Sequence, residues 1–553
     1  MNQEIRIELN MEKKLLLGDE AVALGALHAG LSGVYAYPGT PSTEITEFIQ
    51  LHPLAKERKV HSRWCTNEKT AMEAALGMSF MGKRALVCMK HVGMNVCADP
   101  FVNSAMTGVN GGVVVLVADD PSMHSSQDEQ DSRFYGKFAM IPTFEPSSQQ
   151  EAYDMMEVAF DYSEKQCLPV LMRVTTRMAH SRAVVKVKDE ARKENELNYN
   201  AVAANWVLLP ANARKRNDKV TAQQAQLEED AANSPYNKIA LPLGGAGRGA
   251  SPLGIIASGI AYNYVRESGV DVPILKISQY PLPKKLVRQL LDSCEKVMVV
   301  EEGQPFIEEQ VRGVFESQNI LGRLTGELPR TGELTPDCVA AALANAGVTT
   351  PLSNREGLGV SLLVAARPPQ LCQGCGHRDV YTALNEVLKE YENPRVFGDI
   401  GCYTLGFLPP YRAIHSCVDM GASITMAKGA SDAGQWPAVA IIGDSTFTHS
   451  GMTGLLDAVN EKANITVIIS DNLTTAMTGG QDSAGTNKFE AICLGLGVEP
   501  EHLHVVVPLP KNMPEITRII REEINYKGVS VIIPQRECIQ TFKRHAKERK
   551  QNS

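Results

Sequence analysis

The chain has 553 residues and a formal net charge of −8, and this length predicts several domains, each able to bury its own core. Its residues are 44% hydrophobic and 21% charged, a balance that excludes collagen, a disordered tail and a coiled coil. No basic block marks a nucleic-acid-binding protein, and no apolar run reaches the roughly 18 residues that a membrane span needs. The first residues have mixed charge, unlike a signal peptide. We therefore expect a cytoplasmic protein with no nucleic-acid partner and no membrane span.

Short apolar runs alternate with helical patterns across residues 1–190. Each run ends in turn residues, which is the pattern of βα units in a parallel sheet. The predicted strands of this part are 34–37, 85–89 and 113–117. In open parallel sheets ligands bind beyond the carboxyl ends of the strands, so every strand-end turn is a candidate site.

The rest of the chain divides into a connector and two further α/β segments. Residues 191–250 are charged and rich in Ala and Gln, which indicates a connector with a solvated helix. Residues 251–355 and 356–553 resume the pattern of apolar runs. Pro273 marks a strand start or a sheet edge, because proline cannot donate a ladder hydrogen bond. The predicted strands are 254–257, 272–275, 297–300, 439–442 and 465–469.

The strongest functional signal is a pair of strand-end turns in the last segment. Gly443, Asp444 and Ser445 follow one strand, and Asn472 comes 29 residues after Gly443, about the length of one strand–helix–strand unit. Both turns should lie at one sheet edge, where Asp444 and Asn472 can share a hard cation such as Mg²⁺. Gly443 lets the backbone come close, and the next helix can offer N–H groups to phosphate. The alternative is a pair of ordinary turns.

This arrangement resembles the thiamine-diphosphate motif, in which a Gly-Asp pair is followed one strand–helix–strand unit later by Asn. The resemblance implies that Mg²⁺ is held by Asp444, Asn472 and the backbone carbonyl of Thr474. It also implies that Gly443 and Ser445 contact the diphosphate.

Thiamine chemistry needs a second element, a buried carboxyl group on the aminopyrimidine N1′ whose charged and neutral states are both accessible. Residues 64–69, WCTNEK, offer one. Asn67 can cap a helix that runs to Gly82, which places Glu68 in the first turn. The alternative is a glutamate that only complements the helix dipole.

Three segments of the first part carry a family resemblance. Residues 37–45 (YPGTPSTEI), the pair Asn67 and Glu68, and residues 90–95 (KHVGMN) together resemble the pyrimidine-domain signature of the 2-oxoacid:acceptor oxidoreductases. Nearly the whole chain resembles the α subunit of indolepyruvate:ferredoxin oxidoreductase. The resemblance implies that Glu68 contacts N1′ and that Thr40 lies near the thiazolium and the substrate carbonyl. It places three more residues where an anionic 2-oxoacid could bind, although a solvated or structural role is the alternative: Lys90, His91 and Asn95.

Four of the twelve cysteines form a separate pattern. Cys372 and Cys375 form a CxxC, Cys402 follows Gly401, and Cys538 lies near the C-terminus. From the residues alone, a zinc site, a dithiol redox pair and free structural thiols are all open alternatives. Free thiols would apply if Gly401 and Cys402 belong to the diphosphate loop. Four thiolates also suit a [4Fe–4S] cluster, and cluster-containing members of the resembled family use this layout. The remaining cysteines are interpreted as small buried hydrophobic residues: Cys65, Cys88, Cys97, Cys167, Cys294, Cys338, Cys417 and Cys493.

The resemblance implies an α/β fold with three parallel-sheet domains. A pyrimidine-binding domain (1–190) and a diphosphate- and Mg²⁺-binding domain (356–553) flank a transketolase C-terminal-like domain (251–355). Glu301-Glu302-Gly303 fits the middle domain, for which a spacer role is an equal alternative. The implied reaction is the oxidative decarboxylation of a 2-oxoacid, such as the arylpyruvates indolepyruvate and phenylpyruvate, with the acyl group passed to coenzyme A and electrons removed one at a time.

No cysteine follows Cys538, so we expect the ferredoxin-like extension of the longer family members to be missing. Electrons must then pass to another subunit or to a carrier such as ferredoxin. The family also implies a small β-type partner subunit and a hetero-oligomer that contains a dimer of this chain, with the thiamine site between the first and last domains. The alternatives are a non-oxidative thiamine-diphosphate-dependent decarboxylase or carboligase, and a cofactor-binding subunit that does not turn over alone. A plain nucleotide-binding protein lacks its glycine-rich motifs here.

Overall fold

The computed structural model describes residues 12–198, 202–206, 208, 210–242, 251–315, 319–329, 332–348, 370–417, 420–432 and 435–551. The chain forms two compact units, Met1–Ser361 and Leu362–Ser553. The end of the predicted connector, 243–250, and the predicted border between 355 and 356 lie outside the described residues. No helix of the described ranges is long and apolar enough to cross a lipid bilayer.

Four sheets are formed by the described residues. Their strands in chain order are β1 (Glu12–Leu17), β2 (Gly33–Ala36), β3 (His61–Trp64), β4 (Ala85–Lys90), β5 (Val113–Asp119), β6 (Thr143–Phe144), β7 (Val170–Thr175), β8 (Arg182–Val187), β9 (Lys238–Ala240), β10 (Gly254–Ser258), β11 (Ile274–Ile277), β12 (Gln279–Tyr280), β13 (Val297–Val300), β14 (Ile320–Leu321), β15 (Arg395–Gly398), β16 (Ala438–Gly443), β17 (Ile465–Ser470), β18 (Leu503–Val506) and β19 (Val529–Pro534).

Helices connect and cover these strands. The α-helices of the first unit are Gly18–His28, Thr43–Leu51, Pro53–Glu57, Glu68–Phe80, His91–Thr107, Arg133–Ala139, Gln149–Gln166, Thr176–His180, Ala203–Trp206, Pro210–Ala232, Ala261–Glu267, Lys284–Ser293, Phe306–Phe315 and Pro336–Asn345. Those of the second unit are Gly376–Leu388, Ala422–Asp432, Asp444–Thr446, Met452–Asn460, Phe489–Gly495, Met513–Asn525 and Ile539–Gln551. Short 3₁₀ turns lie at Cys402–Phe407, Ala476–Thr478, Pro500–His502 and Pro510–Asn512, and a π-helical turn lies at Phe447–Gly451.

The first unit is built on a seven-stranded sheet with the order β12-β6-β7-β5-β4-β2-β3. All neighbours pair in parallel except β12 with β6. Strands β5 and β7 are buried along their whole length, which explains why they are almost continuous apolar runs. The strands predicted in residues 1–190 are confirmed to within two residues. The two-residue strands β6 and β12 were not predicted, because they are too short to show a period.

A five-stranded sheet, β14-β13-β10-β11-β9, lies in the same unit. It is parallel except for β9, which runs antiparallel to β11. Strand β11 begins directly after Pro273, so the predicted strand start is confirmed; the alternative of a sheet edge is wrong, because β10 and β9 flank β11. Apolar residues of both sheets join one core that includes Leu116 and Ile255. The domain bounds predicted inside this unit stay predictions.

The second unit is built on a fully parallel sheet with the order β15-β16-β17-β19-β18. Strands β16, β17 and β19 are buried throughout. The strands predicted at 439–442 and 465–469 are confirmed. All three turns that follow β15, β16 and β17 lie at the carboxyl edge of this sheet, where open parallel sheets bind ligands.

The interpretation of eight cysteines as buried hydrophobic residues is only partly right. Cys88, Cys97 and Cys493 are buried, whereas Cys167 and Cys417 are exposed and the other three are intermediate. Cys167 follows helix Gln149–Gln166 with a φ of +54°, so its exposure comes from its place in a helix-ending turn. An apolar neighbourhood in sequence does not reveal such a position.

Candidate functional site

The two strand-end turns of the second unit lie side by side, as their spacing predicted. Strand β16 pairs in parallel with β17, and Gly443 is the register partner of Ser470. Asp444 and Asp471 therefore leave the same sheet edge on neighbouring strands. Helix Met452–Asn460 lies in the connection between these strands.

Side-chain oxygens of Asp444 and Asn472 converge on one backbone group. Thr474 N donates to Asp444 Oδ2 at 3.1 Å and to Asn472 Oδ1 at 3.2 Å. Asp444 is 3% exposed, and burial together with the carboxylate of Asp471 raises its pKa to about 8. Carboxylate and amide oxygens are the hard ligands that Mg²⁺ prefers. The side-chain oxygens of Asp444 and Asn472 therefore suit a Mg²⁺ ion.

A tyrosine that the sequence analysis missed explains the two glycines of this site. A Cβ on Gly443 would stand 2.7 Å from Tyr403 Cε1, and a Cβ on Gly401 would stand 2.3 Å from the same atom. The buried Tyr403 hydroxyl donates to Asp399 Oδ1, and Asp399 Oδ2 accepts two backbone N–H groups. Both glycines are thus required for packing against a fixed ring. An approach of phosphate to Gly443 stays a prediction.

The chain turns helical directly after Gly443. Helix Asp444–Thr446 passes into the π-helical turn Phe447–Gly451 and then into Met452–Asn460. Turns of this kind are frequent at functional sites. Ser445 Oγ accepts a hydrogen bond from Thr475 Oγ1 at 3.0 Å, which links the two strand-end turns.

The four cysteines of the predicted cluster line one cavity of about 100 Å³. Two precede helix Gly376–Leu388, one begins the turn Cys402–Phe407 and one precedes helix Ile539–Gln551. All four are partly exposed. Asn472 belongs to the same cavity wall, so the thiol cavity and the Asp444 site share a residue. The cysteines concerned are Cys372, Cys375, Cys402 and Cys538.

These thiols influence one another's ionisation. Burial raises the pKa of Cys402 to about 12, and the three other thiols add to the effect. A bound cation would reverse this, because a metal deprotonates the thiols that coordinate it. No three of the four Sγ atoms all lie within 4.8 Å of one another. A zinc ion bound by four thiolates and an all-thiolate iron–sulfur cluster both draw on four cysteines of this kind.

In the first unit, Glu68 begins helix Glu68–Phe80, as predicted. Asn67 caps this helix, since its Oδ1 accepts the Thr70 N–H at 2.9 Å. The Glu68 side chain is buried and lies against Gly93, where an added Cβ would stand 2.4 Å from Glu68 Oε1. A carboxyl group is therefore held between the first turns of two helices.

Lys90 and Thr40 meet at one serine. Lys90 Nζ donates to the Ser125 carbonyl at 2.5 Å, and Ser125 Oγ donates to the Thr40 carbonyl at 3.5 Å. Burial lowers the pKa of Lys90 to about 8, against the opposing effect of Asp120 and Asp128. The ammonium group is thus partly desolvated, which strengthens its attraction for an anion.

His91 and Asn95 lie on the first turns of helix His91–Thr107. His91 Nε2 lies 3.2 Å from the Asp128 carbonyl oxygen, whereas its Nδ1 is buried and has no hydrogen-bond partner within the described ranges. Asn95 Oδ1 accepts the Tyr135 hydroxyl at 2.5 Å. An unpartnered buried nitrogen marks a position where a ligand atom can bind.

The contacts from Ser125, Asp128 and Tyr135 were missed by the sequence analysis. The first two belong to the polar run SSQDEQD at 125–131, shortly after β5. A loop at that edge of a parallel sheet is a ligand-binding position. This run was therefore a usable signal.

Glu301 and Glu302 are engaged in structural contacts. Glu301 accepts two backbone N–H groups of helix Phe306–Phe315 and pairs with Arg133 at 2.9 Å. Glu302 accepts the Leu334 N–H at 3.2 Å. Burial raises the pKa of both carboxyl groups to about 7. These contacts favour the structural interpretation of the motif over a catalytic one.

Two protein-family descriptions match the chain. "Pyruvate flavodoxin/ferredoxin oxidoreductase, thiamine diP-bdg" matches residues 24–235. "Thiamine pyrophosphate enzyme, C-terminal TPP binding domain" matches residues 399–533. Both describe thiamine-diphosphate-binding domains, and the matched ranges contain Glu68 and Asp444.

Close relatives cover nearly the whole chain. The "Indolepyruvate oxidoreductase subunit IorA" of Archaeoglobus fulgidus is 38% identical over 95% of this chain and 86% of that protein. The subunit of the same name from Methanothermobacter thermautotrophicus is 38% identical over 96% of this chain and 87% of that protein. A solved 2-oxoglutarate:ferredoxin oxidoreductase from Magnetococcus marinus has 16% identity and a TM-score of 0.49, over 61% of this chain and 65% of that one. From its relatives and its two matched domains, the chain belongs to the thiamine-diphosphate-dependent 2-oxoacid oxidoreductases, the family of the indolepyruvate oxidoreductase IorA subunits.

Proposed function

We propose that this chain is the catalytic subunit of an enzyme that oxidatively decarboxylates an arylpyruvate such as indolepyruvate or phenylpyruvate. The acyl group passes to coenzyme A, and the electrons pass to an acceptor subunit or a ferredoxin. The observation that carries the proposal is the cavity wall shared by four thiols and Asn472. A redox centre in this cavity would lie next to the turn that contains Asn472, one of the proposed Mg²⁺ ligands. The names of the relatives support the arylpyruvate and give no support to a non-oxidative decarboxylase or carboligase.

Thiamine diphosphate, when bound, supplies the electron sink that lets a 2-oxoacid lose carbon dioxide. Asp444, Asn472 and the Thr474 carbonyl would hold its Mg²⁺, a role supported by the oxygens that converge at Thr474. The residues that would line the diphosphate are Gly401, Cys402, Gly443 and Ser445.

Glu68 is proposed to hold the proton at the aminopyrimidine N1′. The role is supported by a carboxyl group that is 6% exposed and confined by Gly93. Such a group exchanges a proton with a bound ring rather than with water, because water has little access to it.

The substrate carboxylate is proposed to bind the Lys90 ammonium and the free Nδ1 of His91. Lys90 is partly desolvated, and the buried His91 Nδ1 has no hydrogen-bond partner among the described residues. Thr40 and Asn95 would orient the substrate carbonyl and side chain. These roles are supported by two contacts: Thr40 accepts a hydrogen bond from Ser125, and Asn95, on the helix that His91 begins, accepts one from Tyr135.

A [4Fe–4S] cluster is proposed for the thiol cavity, with Cys372, Cys375, Cys402 and Cys538 as its ligands. All-thiolate ligation is the rule for such clusters.

We further propose a small β-type partner subunit and a cytoplasmic location. The word "subunit" in the names of the relatives supports the first. The second is supported by twelve cysteines that are all free thiols, as expected in a reducing compartment.

Glu68→Gln tests the proposal against a control on the same helix. The amide cannot exchange the proton, so we expect turnover to fall by about 10²- to 10⁴-fold while thiamine diphosphate remains bound. Glu73→Gln is the matched control, because Glu73 lies on the exposed side of this helix and pairs with Lys69. Turnover and cofactor content would be measured on anaerobically purified enzyme. Normal turnover by Glu68→Gln would sink the assignment.

A further inference from the structure

Three side chains of the kind that bind metal ions converge in the first unit from separate helices. They are Asp19 in the first turn of helix Gly18–His28, Glu44 in the first turn of helix Thr43–Leu51 and His180 at the end of helix Thr176–His180. One side-chain oxygen or nitrogen of each lies within 4.8 Å of those of the other two. We call these three residues the carboxylate–histidine cluster.

Asp19 is a buried carboxyl group that lacks a hydrogen-bond donor. Its side chain is 0% exposed, and neither Oδ1 nor Oδ2 accepts a hydrogen bond from a described residue. Glu44 Oε2 is also buried and accepts none within the described ranges. Burial and the nearby carboxylates of Glu44 and Glu20 raise the pKa of Asp19 well above its ordinary value. Buried carboxylates are normally hydrogen-bonded, paired with a cation or bound to a metal ion, so a positive charge between these oxygens would stabilise them.

The carboxylate–histidine cluster is held by close packing and is open on one side. A Cβ on Gly18 would stand 2.0 Å from the Met178 carbonyl oxygen, so the helices that carry Asp19 and His180 are in backbone contact. The side chains of Glu44 and His180 are 38% and 34% exposed. An ion could therefore enter from solvent and reach the buried Asp19 oxygens.

We propose that the carboxylate–histidine cluster is a structural binding site for one divalent cation of the Zn²⁺ class. Zn²⁺ accepts carboxylate oxygens and imidazole nitrogens, and water can complete a tetrahedral site. Mg²⁺ and Ca²⁺ are disfavoured, because they prefer oxygen ligands to an imidazole. Two ligands of a tetrahedral zinc ion with bonds of about 2.0–2.1 Å stand about 3.3 Å apart, close to the 3.6 Å between His180 Nε2 and Glu44 Oε1. The two charges of the ion would balance the two carboxylates.

Such an ion would join three segments that are far apart in the sequence. Glu44 lies four residues after Thr40, so a ligand bond at Glu44 would hold the loop that precedes helix Thr43–Leu51 as well as the helix itself. The proposal concerns metal binding and stability, and it does not rest on the proposed function.

The test measures zinc binding by the intact assembly, purified without oxygen, treated with a chelator and resupplied with Mg²⁺ and thiamine diphosphate. The readouts are the zinc content, the dissociation constant for Zn²⁺ and the Tm with and without Zn²⁺. We expect about one zinc ion per protomer at this cluster and a higher Tm with zinc, because the ion binds the folded state.

Asp19→Asn keeps the shape of the side chain and removes its charge. It should weaken zinc binding by more than about a hundredfold, since even the loss of a ligand's hydrogen-bonded neighbour costs roughly 10- to 100-fold, and zinc should no longer raise the Tm. Glu20→Gln is the matched control, because it makes the same change in charge on the next residue, whose carboxylate accepts the Leu17 N–H at 2.8 Å. This control should bind zinc nearly as the parent does. Equal weakening by both variants would overturn the proposal.

His180→Gln tests the third ligand at a partly exposed position, where a substitution disturbs the fold little. His124→Gln is its matched control, because His124 lies 3.3 Å from Glu333 in a pair that is not part of any three-ligand group among the described residues. Zinc binding should be weakened in the first variant and retained in the second. Equal zinc affinity in the two variants would remove His180 as a ligand and overturn the proposal.

Two further results would also overturn the proposal. If Cys372→Ser loses the bound zinc and Asp19→Asn keeps it, the ion lies in the thiol cavity. If zinc leaves the Tm of the parent unchanged and Asp19→Asn is at least as stable as the parent, Asp19 and Glu44 share a proton and bind no ion.

Discussion

Replacing Gly93 by alanine would push a methyl group into the Glu68 carboxyl group. The added Cβ would stand 2.4 Å from Oε1, 2.7 Å from Cγ and 2.8 Å from Cδ of Glu68. Contacts between heavy atoms need about 3.5 Å, and the backbone of Glu68 is fixed by the Asn67 cap. The carboxyl group must therefore withdraw by roughly 0.7–1.1 Å.

The Gly93→Ala substitution should affect catalysis much more than folding. A displacement of about 1 Å in a catalytic group can lower turnover by about 10²-fold, or about 2.7 kcal/mol of activation free energy. The cost to the fold is smaller, because the obstructing atoms end a flexible side chain and because alanine is favoured over glycine in a helix by about 0.5–1 kcal/mol. We therefore expect Gly93→Ala to lose most of its turnover while its free energy of unfolding changes little.

Gly77→Ala is the matched control. Gly77 lies in the same helix as Glu68, and a Cβ there would meet no atom within 4 Å. This variant should keep full activity and gain up to about 1 kcal/mol of stability. Steady-state kinetics and urea unfolding of both variants provide the comparison. Wild-type turnover by Gly93→Ala would refute the placement of Glu68 at the reacting centre.

Three other substitutions test separate parts of the account. Glu302→Gln should flatten the pH dependence of stability. Burial raises the pKa of Glu302 in the folded protein to about 7, from an ordinary value of 4.5. Its stabilising contribution is therefore complete below pH 4.5 and is lost as the pH rises to about 7. The free energy of unfolding changes by up to about 3 kcal/mol through this group. Urea unfolding at pH 5 and pH 8 measures the change, and an equal loss of stability in Glu302→Gln and the parent would contradict the prediction. Cys538→Ser should lose iron and retain thiamine diphosphate, whereas Asp444→Asn should show the opposite pattern in metal and cofactor analysis. Full iron in the Cys538 variant would remove that ligand.

Local chemistry and spacing accounted for the parts of the structure that depend on neighbours in sequence. The Asn67 cap follows from its side chain and the helical residues after it. The adjacency of the Asp444 and Asn472 turns follows from the length of one strand–helix–strand unit. Neither conclusion needs a long-range contact, because parallel strands bring their carboxyl ends to one edge.

The features that were missed depend on contacts between distant segments. Tyr403 fills the space beside Gly443, and no local pattern pairs a ring with a glycine so far along the chain. Ser125 joins Lys90 to Thr40 through a loop that periodicity cannot place. The alternative that Pro273 marks a sheet edge was wrong for the same reason. Pro273 constrains its own strand, whereas the neighbours that flank β11 come from other segments.

The cofactor content of the protein purified without oxygen tests the proposed function at its core. Iron, acid-labile sulfide and thiamine diphosphate would be measured for each protomer. We expect one thiamine diphosphate with about four iron and four sulfide, the composition of one [4Fe–4S] cluster. Thiamine diphosphate with zinc in place of iron, or with no iron under conditions that preserve clusters, would contradict the assignment of Cys372, Cys375, Cys402 and Cys538 as the ligands of a redox centre.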